Sequence, residues 1–229
     1  MGPSSAASAP VIDWLDESEW IFEPSQSRSR DSLSKVLLSA KRLFVERGYD
    51  ETTVADISRD AQVSVGSIYH RFKDKQSILY AVLDSYTRTR FAQVGDLTRP
   101  QRWQHRSAAD VLDFHIEIIF SSARRDTGLY RLMERQRMID PRISDLQIKS
   151  DEYICGLLTG LYRLYADELA VADLATAVRY VHLVTRGSVL WSILSAPAGA
   201  PPLDIFGDEF RRESRQMAAR YLGLSTPAS

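Results

Sequence analysis

Residues 52–75, TTVADISRDAQVSVGSIYHRFKDK, decide the fold of the N-terminal part of the chain. Thr53 is followed three residues later by Asp56, which is the spacing of a capping box at the start of a helix. Apolar residues then recur at intervals of three and four, at Val54, Ile57 and Ala61. This spacing indicates a short helix with one apolar face.

A second short helix is predicted directly after a break in this pattern. Ser64 can cap the helix, and Ile68 and Phe72 repeat at i and i+4 within it. The other side chains of this helix face outward, and two lysines follow at once. Two short helices and a tight turn, with small residues on the outer face, predict a helix-turn-helix over about residues 53–72. The second helix of such a motif can enter the DNA major groove.

Together with the helix before it, this stretch resembles the N-terminal domain of the TetR family of one-component transcriptional regulators. The resemblance covers roughly residues 32–83. Two positions depart from the family pattern. Gln62 occupies a turn position usually held by glycine, which adopts that backbone more easily, and Val65 stands where many relatives carry a polar residue. The matching residues are Ala40, Leu43, Phe44, Gly48, Thr52, Thr53, Ile57, Ala61, Val63, Ser64, Ile68, Tyr69, Phe72, Lys75 and Leu79.

The resemblance implies an all-α chain of about nine helices. An N-terminal three-helix DNA-binding domain would be linked by a fourth helix to a C-terminal helical domain for ligand binding and dimerisation. The predicted divisions are a weakly ordered arm at 1–30, the DNA-binding domain at 31–92, the second domain at 93–224 and a tail at 225–229.

Helical periodicity in the sequence agrees with this architecture. Asp31 or Ser32 is predicted to cap the first helix, and Asp74 to cap a fourth helix that ends near Val94. No segment has the pattern of a strand. Further helices are predicted at about 108–123, 129–138, 143–165, 171–194 and 204–222.

Composition limits the classes of function. The formal net charge is −1, so DNA affinity must come from a local patch. Such a patch exists between Arg28 and Lys75, where ten lysines and arginines outnumber seven acidic residues. Cys155 is the only cysteine, which excludes an intrachain disulfide and fits a cytoplasmic protein. No apolar run is long enough for a membrane span, so no membrane partner is predicted.

The N-terminal arm combines acidic residues with aromatic ones, including Trp14 and Trp20. It can pack on its own protein, or it can dock on a partner. Arg28 and Arg30 precede the first helix, where an arm can enter the minor groove. A solvated linker explains the same residues.

The outer face of the second short helix carries the predicted DNA contacts. Gly66 and Ser67 allow close approach to base edges, and Val65 can contact a thymine methyl group. Tyr69 and the two lysines are better placed for phosphates. Capping, packing and solubility are the alternative roles of these residues. The full predicted set is Thr53, Ser64, Val65, Gly66, Ser67, Tyr69, His70, Lys73 and Lys75.

The remaining helices show no catalytic motif, no cofactor motif and no metal-ligand spacing. Cys155 lies in an apolar helical context and is interpreted as an inert core thiol. The resemblance implies an effector pocket here, and aromatic and methionine side chains suit a mostly apolar small ligand. The pocket candidates are Trp103, His115, Phe120, Tyr130, Met133, Met138, Tyr153 and Tyr162.

The sequence therefore predicts a homodimeric, sequence-specific DNA-binding regulator of transcription that reads a palindromic operator. A repressor that is released by a small, largely apolar ligand fits best. A regulator without a ligand, or an activator, is the nearest alternative. An enzyme with an accessory helix-turn-helix and a non-specific DNA-packaging protein are the competitors from other classes.

Overall fold

The computed structural model describes residues 27–195, 204 and 207–224, with side chains from residue 31 onward. This part of the chain forms nine α-helices and two short 3₁₀ turns and contains no strand, which confirms the predicted all-α class. The predicted tail and nearly all of the predicted arm lie outside the described residues. The helices are α1 Ser27–Glu46, α2 Val54–Ala61, α3 Val65–Tyr69, α4 Lys75–Leu97, α5 Ala108–Arg125, α6 Thr127–Arg137, α7 Pro141–Arg163, α8 Leu174–Ser195 and α9 Asp208–Leu222.

The chain divides into two compact units. Their described residues are 27–88 and 89–224, so the division falls within α4. The predicted domains, 31–92 and 93–224, are defined by their functions. A division into compact units does not test those functions, so the domain boundaries stay predictions.

The first unit is built on α1, which packs against α2. Buried side chains from α1, such as Leu43 and Phe44, form its core with Ile57 of α2, Ile68 of α3 and Phe72. This is the apolar stripe that the sequence predicts. Burial of these side chains fixes α2 and α3 against the longer helix. Phe72 lies three residues beyond the end of α3, so the prediction that it belongs to this helix is wrong.

Two helix starts in this unit can be compared with the prediction. Helix α1 begins at Ser27, so the prediction that Asp31 or Ser32 caps it is wrong. Residues 27–31 contain neither proline nor glycine, and the helix extends through them. At α4, the Ser77 amide donates to the Asp74 carboxylate at 2.7 Å, as predicted.

The second unit has α5 near its centre, packed against α6, α7, α8 and α9. A capping box between Ser107 and Asp110 starts α5. Residues on several of its faces are buried, among them His115, Ile116 and Phe120. A helix with so much buried surface belongs to the interior of a domain.

The later helices differ from the prediction mainly at their ends. Asp140 caps α7 by accepting from the Arg142 amide at 3.0 Å, and Pro141 takes the first helical position. Helix α9 begins at Asp208 rather than at residue 204, and Gly207 is its N-cap. Helix α4 ends at Leu97, three residues later than expected.

Gln62 ends α2 in the left-handed region, with φ 56° and ψ 40°. A side chain other than glycine is strained there by about 1–2 kcal/mol. Glycine also costs more chain entropy on folding, so we expect Gln62→Gly to raise the free energy of unfolding by about 0.5–1 kcal/mol. Denaturant unfolding measures the change. Gln62→Ala is the control, because alanine keeps the Cβ atom; equal stability of the glycine and alanine variants would contradict the strain argument.

Candidate DNA-binding interface and effector site

Helix α2 starts with the capping box that the sequence predicts. The Asp56 amide donates to Thr53 Oγ1 at 3.1 Å, and the Thr53 amide donates to Asp56 Oδ2 at 3.1 Å. The hydrogen bonds from Thr53 lower the pKa of Asp56 from its usual value. The carboxylate therefore stays ionised at the positive end of the helix, where a negative charge is favourable.

Ser64 is the N-cap of helix α3, again as predicted. The Ser67 amide donates to Ser64 Oγ at 3.2 Å, and the two hydroxyl groups lie 2.8 Å apart. Ile68, in contrast, is buried in the first unit. The short helix is thus anchored by one apolar residue and one cap, and its other side chains face solvent.

Eight of the nine predicted DNA contacts are exposed. Six of them, at positions 64–67, 69 and 70, belong to α3 and its two caps, and the surface that they form is here called the recognition face. Exposed side chains of this kind can enter a groove of B-DNA without a rearrangement of the helix. The exposed predicted residues are Thr53, Ser64, Val65, Gly66, Ser67, Tyr69, His70 and Lys73.

Lys75 differs from the rest of the predicted set. Its ammonium group donates to the Tyr49 carbonyl at 2.8 Å and to the Asp50 carbonyl at 3.3 Å. The same nitrogen lies 4.3 Å from the centre of the Tyr49 ring, a cation–π contact. Lys75 therefore ties the loop after α1 to the start of α4, a role that the sequence does not reveal.

The eight pocket candidates lie in different environments of the second unit. His115, Phe120 and Tyr162 are almost completely buried, and Tyr130 and Met133 are buried nearly as well. Tyr153 is half-buried, with its ring centre 4.4 Å from that of Phe91. These side chains face the interior of the unit, as an effector pocket requires, although a packed core also contains such residues.

Two candidates lie elsewhere. Met138 is 76% exposed, so its placement in an interior pocket is corrected. It is the C-cap of α6, where the chain leaves the helix toward solvent. Trp103 donates from Nε1 to the Leu97 carbonyl at 2.8 Å and borders a shallow groove of about 340 Å³ with Phe114.

A buried chain of polar side chains crosses the interior of the second unit. Tyr162 Oη lies 3.4 Å from His115 Nδ1, and His115 Nε2 lies 3.2 Å from His182 Nδ1. Burial lowers the pKa of both histidines, and that of His115 falls well below its usual value. The two imidazoles are therefore neutral near pH 7.

Ionised groups continue this chain beyond His182. Its Nε2 lies 3.6 Å from Asp151 Oδ1, and Arg186 bridges Asp151 at 3.4 Å and Glu134 at 3.3 Å. These residues are not among the sites predicted from the sequence, although His182 and Arg186 lie one turn apart on the same helix. That pairing is the signal that could have identified them.

A groove of about 580 Å³ runs between α4 and α5. Apolar residues such as Val94 and Ile118 line it, together with Ser122 and the two arginines Arg90 and Arg125. An apolar trough with a few polar groups can accommodate a small molecule.

Other types of site are less well supported. Within the described residues, no cluster of three or more His, Cys, Asp or Glu side chains could hold a metal ion. Burial raises the pKa of the Cys155 thiol to about 12, which leaves it unreactive. Over the same residues, no helix combines the length and hydropathy that a bilayer span requires.

Comparison with known proteins identifies the first unit more closely. Residues 36–82 match the family model of the bacterial regulatory proteins of the tetR family. A segment of 70 residues is 41% identical to the HTH-type transcriptional regulator HbdR of Aromatoleum sp. (strain CIB), covering 29% of this chain and 31% of that protein. A segment of 89 residues is 28% identical to the HTH-type transcriptional repressor BepR of Brucella suis, covering 39% and 41%.

These matches span only about a third to two fifths of the length of the two relatives. The fold match extends further. A TetR transcription regulator from Haloarcula marismortui superposes with a TM-score of 0.65 over 85% of this chain and 97% of that protein, at 18% identity. At this identity the likeness concerns the fold alone.

Proposed function

From the premise that residues 36–82 belong to the tetR family of bacterial regulatory proteins, we propose that the chain is a sequence-specific DNA-binding regulator of transcription. The observation that carries this proposal is the recognition face, where α3 exposes small and polar side chains above a buried Ile68. HbdR and BepR are both named transcriptional regulators, and BepR is named a repressor. Repression is accordingly the proposed mode of action.

The proposed contacts divide into two classes. Ser67 and Val65 lie on the exposed side of α3, where they can reach base edges. Thr53 at the start of α2, Tyr69 in α3 and Lys73 after α3 are exposed and can contact phosphates, which position the protein without reading sequence. His70 is exposed at the end of α3 and can serve either purpose.

The two classes predict different responses to mutation. Lys73→Ala should weaken binding to every DNA sequence and reduce the salt slope by about one, because one phosphate contact is lost. Ser67→Ala should change the preferred base at one position, with a loss of about 1–3 kcal/mol of discrimination. Selection of an operator from random DNA, followed by titrations at several salt concentrations, measures both effects.

Lys149→Ala is the control for the lysine variant, because it removes an exposed lysine from α7 in the second unit. It should leave the salt slope unchanged. If the Ser67 and Lys73 variants both keep the parent's base preferences and salt slope, the recognition face is assigned to the wrong surface. Lys75 is a poorer probe, because its substitution also breaks the contacts with Tyr49 and Asp50.

We further propose that the protein acts as a homodimer on a palindromic operator, within the cytoplasm where the DNA lies. A single helix-turn-helix offers little surface, and two-fold pairing doubles it while setting half-sites about one helical turn apart. The outward sides of α8 and α9 would form the interface between the two copies.

Release by a small, largely apolar effector completes the proposal. The second unit offers the α4–α5 groove and the buried polar chain as places for a ligand. A ligand displaces DNA only if it prefers the arrangement that does not bind DNA. Operator DNA must then weaken ligand binding by the same factor, typically about 5–150-fold.

Competing functions make different predictions. A DNA-packaging protein would bind random DNA as tightly as the selected operator, so a competition titration detects it. A regulator without a ligand would stay bound to its operator in the presence of every small molecule tested. An activator would raise transcription from a promoter that carries the operator. An enzyme with an accessory helix-turn-helix is disfavoured, since the matched relatives are named regulators.

A further inference from the structure

Five buried side-chain atoms in the described part of the chain have no hydrogen-bond partner. All five belong to side chains of the second unit: Arg90 Nε, Gln147 Nε2, His182 Nε2, Thr185 Oγ1 and Arg186 Nε. Three of these residues are almost fully buried, with exposures of 6% for Gln147, 2% for His182 and 1% for Thr185. Buried polar atoms are normally hydrogen-bonded, so a concentration of exceptions needs a physical explanation.

Three of the five residues act on Asp151. His182 and Arg186 approach its carboxylate directly, and Arg90 acts through its charge. Thr185 follows His182 by three residues on α8, so the two side chains share a helix face. Gln147 precedes Asp151 by one turn of α7, so the two side chains share a helix face. The five residues that carry the unpaired atoms are here called the donor cluster.

Arg90 reaches the donor cluster from α4. Burial raises the pKa of Asp151, but His182, Arg186 and Arg90 together lower it below its usual value. Burial lowers the pKa of His182, the neighbouring Asp151 carboxylate opposes this effect, and Arg90 and Arg186 lower the pKa further. The charge of the Arg90 guanidinium therefore acts on both Asp151 and His182.

Most of the unpaired atoms are donors. The guanidinium Nε–H of Arg90 and Arg186 and the amide nitrogen of Gln147 can only donate. His182 Nε2 faces Asp151 Oδ1 at 3.6 Å, so the proton of the neutral ring lies on Nε2 and is directed at this carboxylate. Three N–H groups and one hydroxyl then have no acceptor.

The cluster also carries an excess of positive charge. Asp151 and Glu134 are its carboxylates, and three guanidinium groups, those of Arg90, Arg137 and Arg186, surround them. With both histidines neutral, one positive charge remains. A bound group that supplies acceptor oxygens and one negative charge would satisfy the donors and balance the charge.

Arg90 also connects the cluster with a space for the rest of such a molecule. Its side chain lines the 580 Å³ groove between α4 and α5, where Val94, Leu97 and Ile118 supply apolar surface. A molecule with an anionic end and an apolar body can therefore contact both regions through Arg90.

We propose that the donor cluster binds the carboxylate of a small organic acid whose apolar body lies in the α4–α5 groove. This proposal deepens the effector role given above and rests on it for any effect on DNA. The unpaired donors carry the proposal, and it identifies the effector class as monocarboxylates rather than neutral or cationic molecules.

The test titrates the full-length protein, without DNA, with benzoate, phenylacetate, hexanoate and octanoate by calorimetry. The corresponding neutral amides are the matched probes, since they keep the shape and lack the charge. We expect at least one acid to bind about tenfold or more tightly than its amide. Arg90→Gln and Thr185→Val should each lower the affinity for that acid by about ten- to a hundredfold, as expected for the loss of a hydrogen bond to a charged group.

Thr185→Val has a second readout that a merely structural role would not give. Valine keeps the shape of threonine and removes an unpaired buried hydroxyl, so the ligand-free variant should melt at the same or a higher temperature than the parent. Arg163→Gln is the charge-matched control, because Arg163 is exposed at the end of α7. It should leave acid binding unchanged.

Three results would overturn the proposal: no binding of any of the four acids at millimolar concentration, equal affinities for acid and amide, or unchanged acid affinity in the Arg90 and Thr185 variants. The first would indicate that ordered water alone satisfies the cluster. The titration contains no DNA, so its result is independent of operator binding. Acid binding can be absent from a protein that binds its operator, and it can be present in a protein that does not bind DNA.

Discussion

Leu183→Arg is expected to convert the proposed dimer into monomers and to weaken operator binding by about three orders of magnitude, toward the level of non-specific binding. Leu183 lies on α8 and is 67% exposed. In a dimer whose interface contains this residue, each arginine would place an unpaired charge among apolar side chains. Loss of pairing leaves a single recognition face per molecule, which cannot hold two half-sites at once.

The surface around Leu183 supports this choice. Four large apolar side chains on α8 are exposed: Tyr180, Leu183, Trp191 and Leu194. Their spacing, in multiples of about one helical turn, places them along one outer side of the helix. The Tyr180 ring lies 5.0 Å from that of Tyr221, which extends the surface onto α9. Large exposed apolar patches are rare on monomeric proteins and mark interaction sites.

Light scattering at micromolar concentration measures the assembly, and operator titration measures its consequence. Leu38→Arg is the matched control for assembly, since Leu38 on α1 is 68% exposed and undergoes the same chemical change. A monomeric parent would remove the proposed dimer altogether. A dimeric Leu183 variant with unchanged operator affinity would place the interface on another surface.

The structure also changes which substitutions are informative about the dimer. Val181 on α8 and Phe210 on α9 are less suitable. Val181 is buried in the protomer's own core, and Phe210 is partly covered, with its ring centre 5.8 Å from that of Phe120. Arginine at Val181 would disrupt folding whether or not the protein dimerises.

The helix-turn-helix can be predicted from the sequence because its signals are local. The caps at Thr53 and Ser64 act on amides three residues away, and the spacing of Ile57, Ile68 and Phe72 determines which sides are buried. Once those sides are fixed, the recognition face follows from the remaining residues. Local hydrogen bonds and helical periodicity are the parts of folding that a single sequence shows most directly.

The second unit is predicted less well because its site depends on contacts between distant segments. His115 and His182 are 67 residues apart in sequence, yet their ring nitrogens lie 3.2 Å apart. Periodicity places each histidine on the inner face of its helix, but it does not indicate which helices will be neighbours. The aromatic residues predicted as pocket candidates therefore include core residues, whereas the donor cluster around Asp151 is not predicted.

Helix ends show the same limit on a smaller scale. Lys75 is predicted to contact phosphate because it follows a recognition helix, but its ammonium group donates to two carbonyl groups 25 and 26 residues earlier in the chain. Met138 is predicted to line a pocket because it is apolar, although it lies at a C-cap and is exposed. In both cases, the residue type is informative and the tertiary position decides the role.

Gly223→Ala is expected to destabilise the second unit by about 2–5 kcal/mol, through strain in the left-handed region and overpacking. Gly223 ends α9 with φ 74°, and a Cβ atom there would lie 2.4 Å from Ala170 Cβ and 3.0 Å from the Ala170 amide nitrogen. The Ala170 amide donates to the Leu222 carbonyl at 3.0 Å, so any shift that relieves the clash breaks this contact.

Denaturant unfolding measures the loss, and Gly160→Ala is the control. Gly160 lies within α7 and is exposed, and no atom beyond its own stretch of helix lies within 4 Å of the position that an added Cβ would take. Alanine there should stabilise the protein by up to about 1 kcal/mol.

Adding Ala170→Gly to Gly223→Ala should recover part of the loss, because it removes the closest clashing atom and leaves the backbone strain. A Gly223 variant as stable as the parent would show that α9 is not held at its C-terminal end. If the variant is destabilised as expected, dimer dissociation should also become easier, because α9 carries Met217 and Tyr221 on the outer surface proposed for pairing.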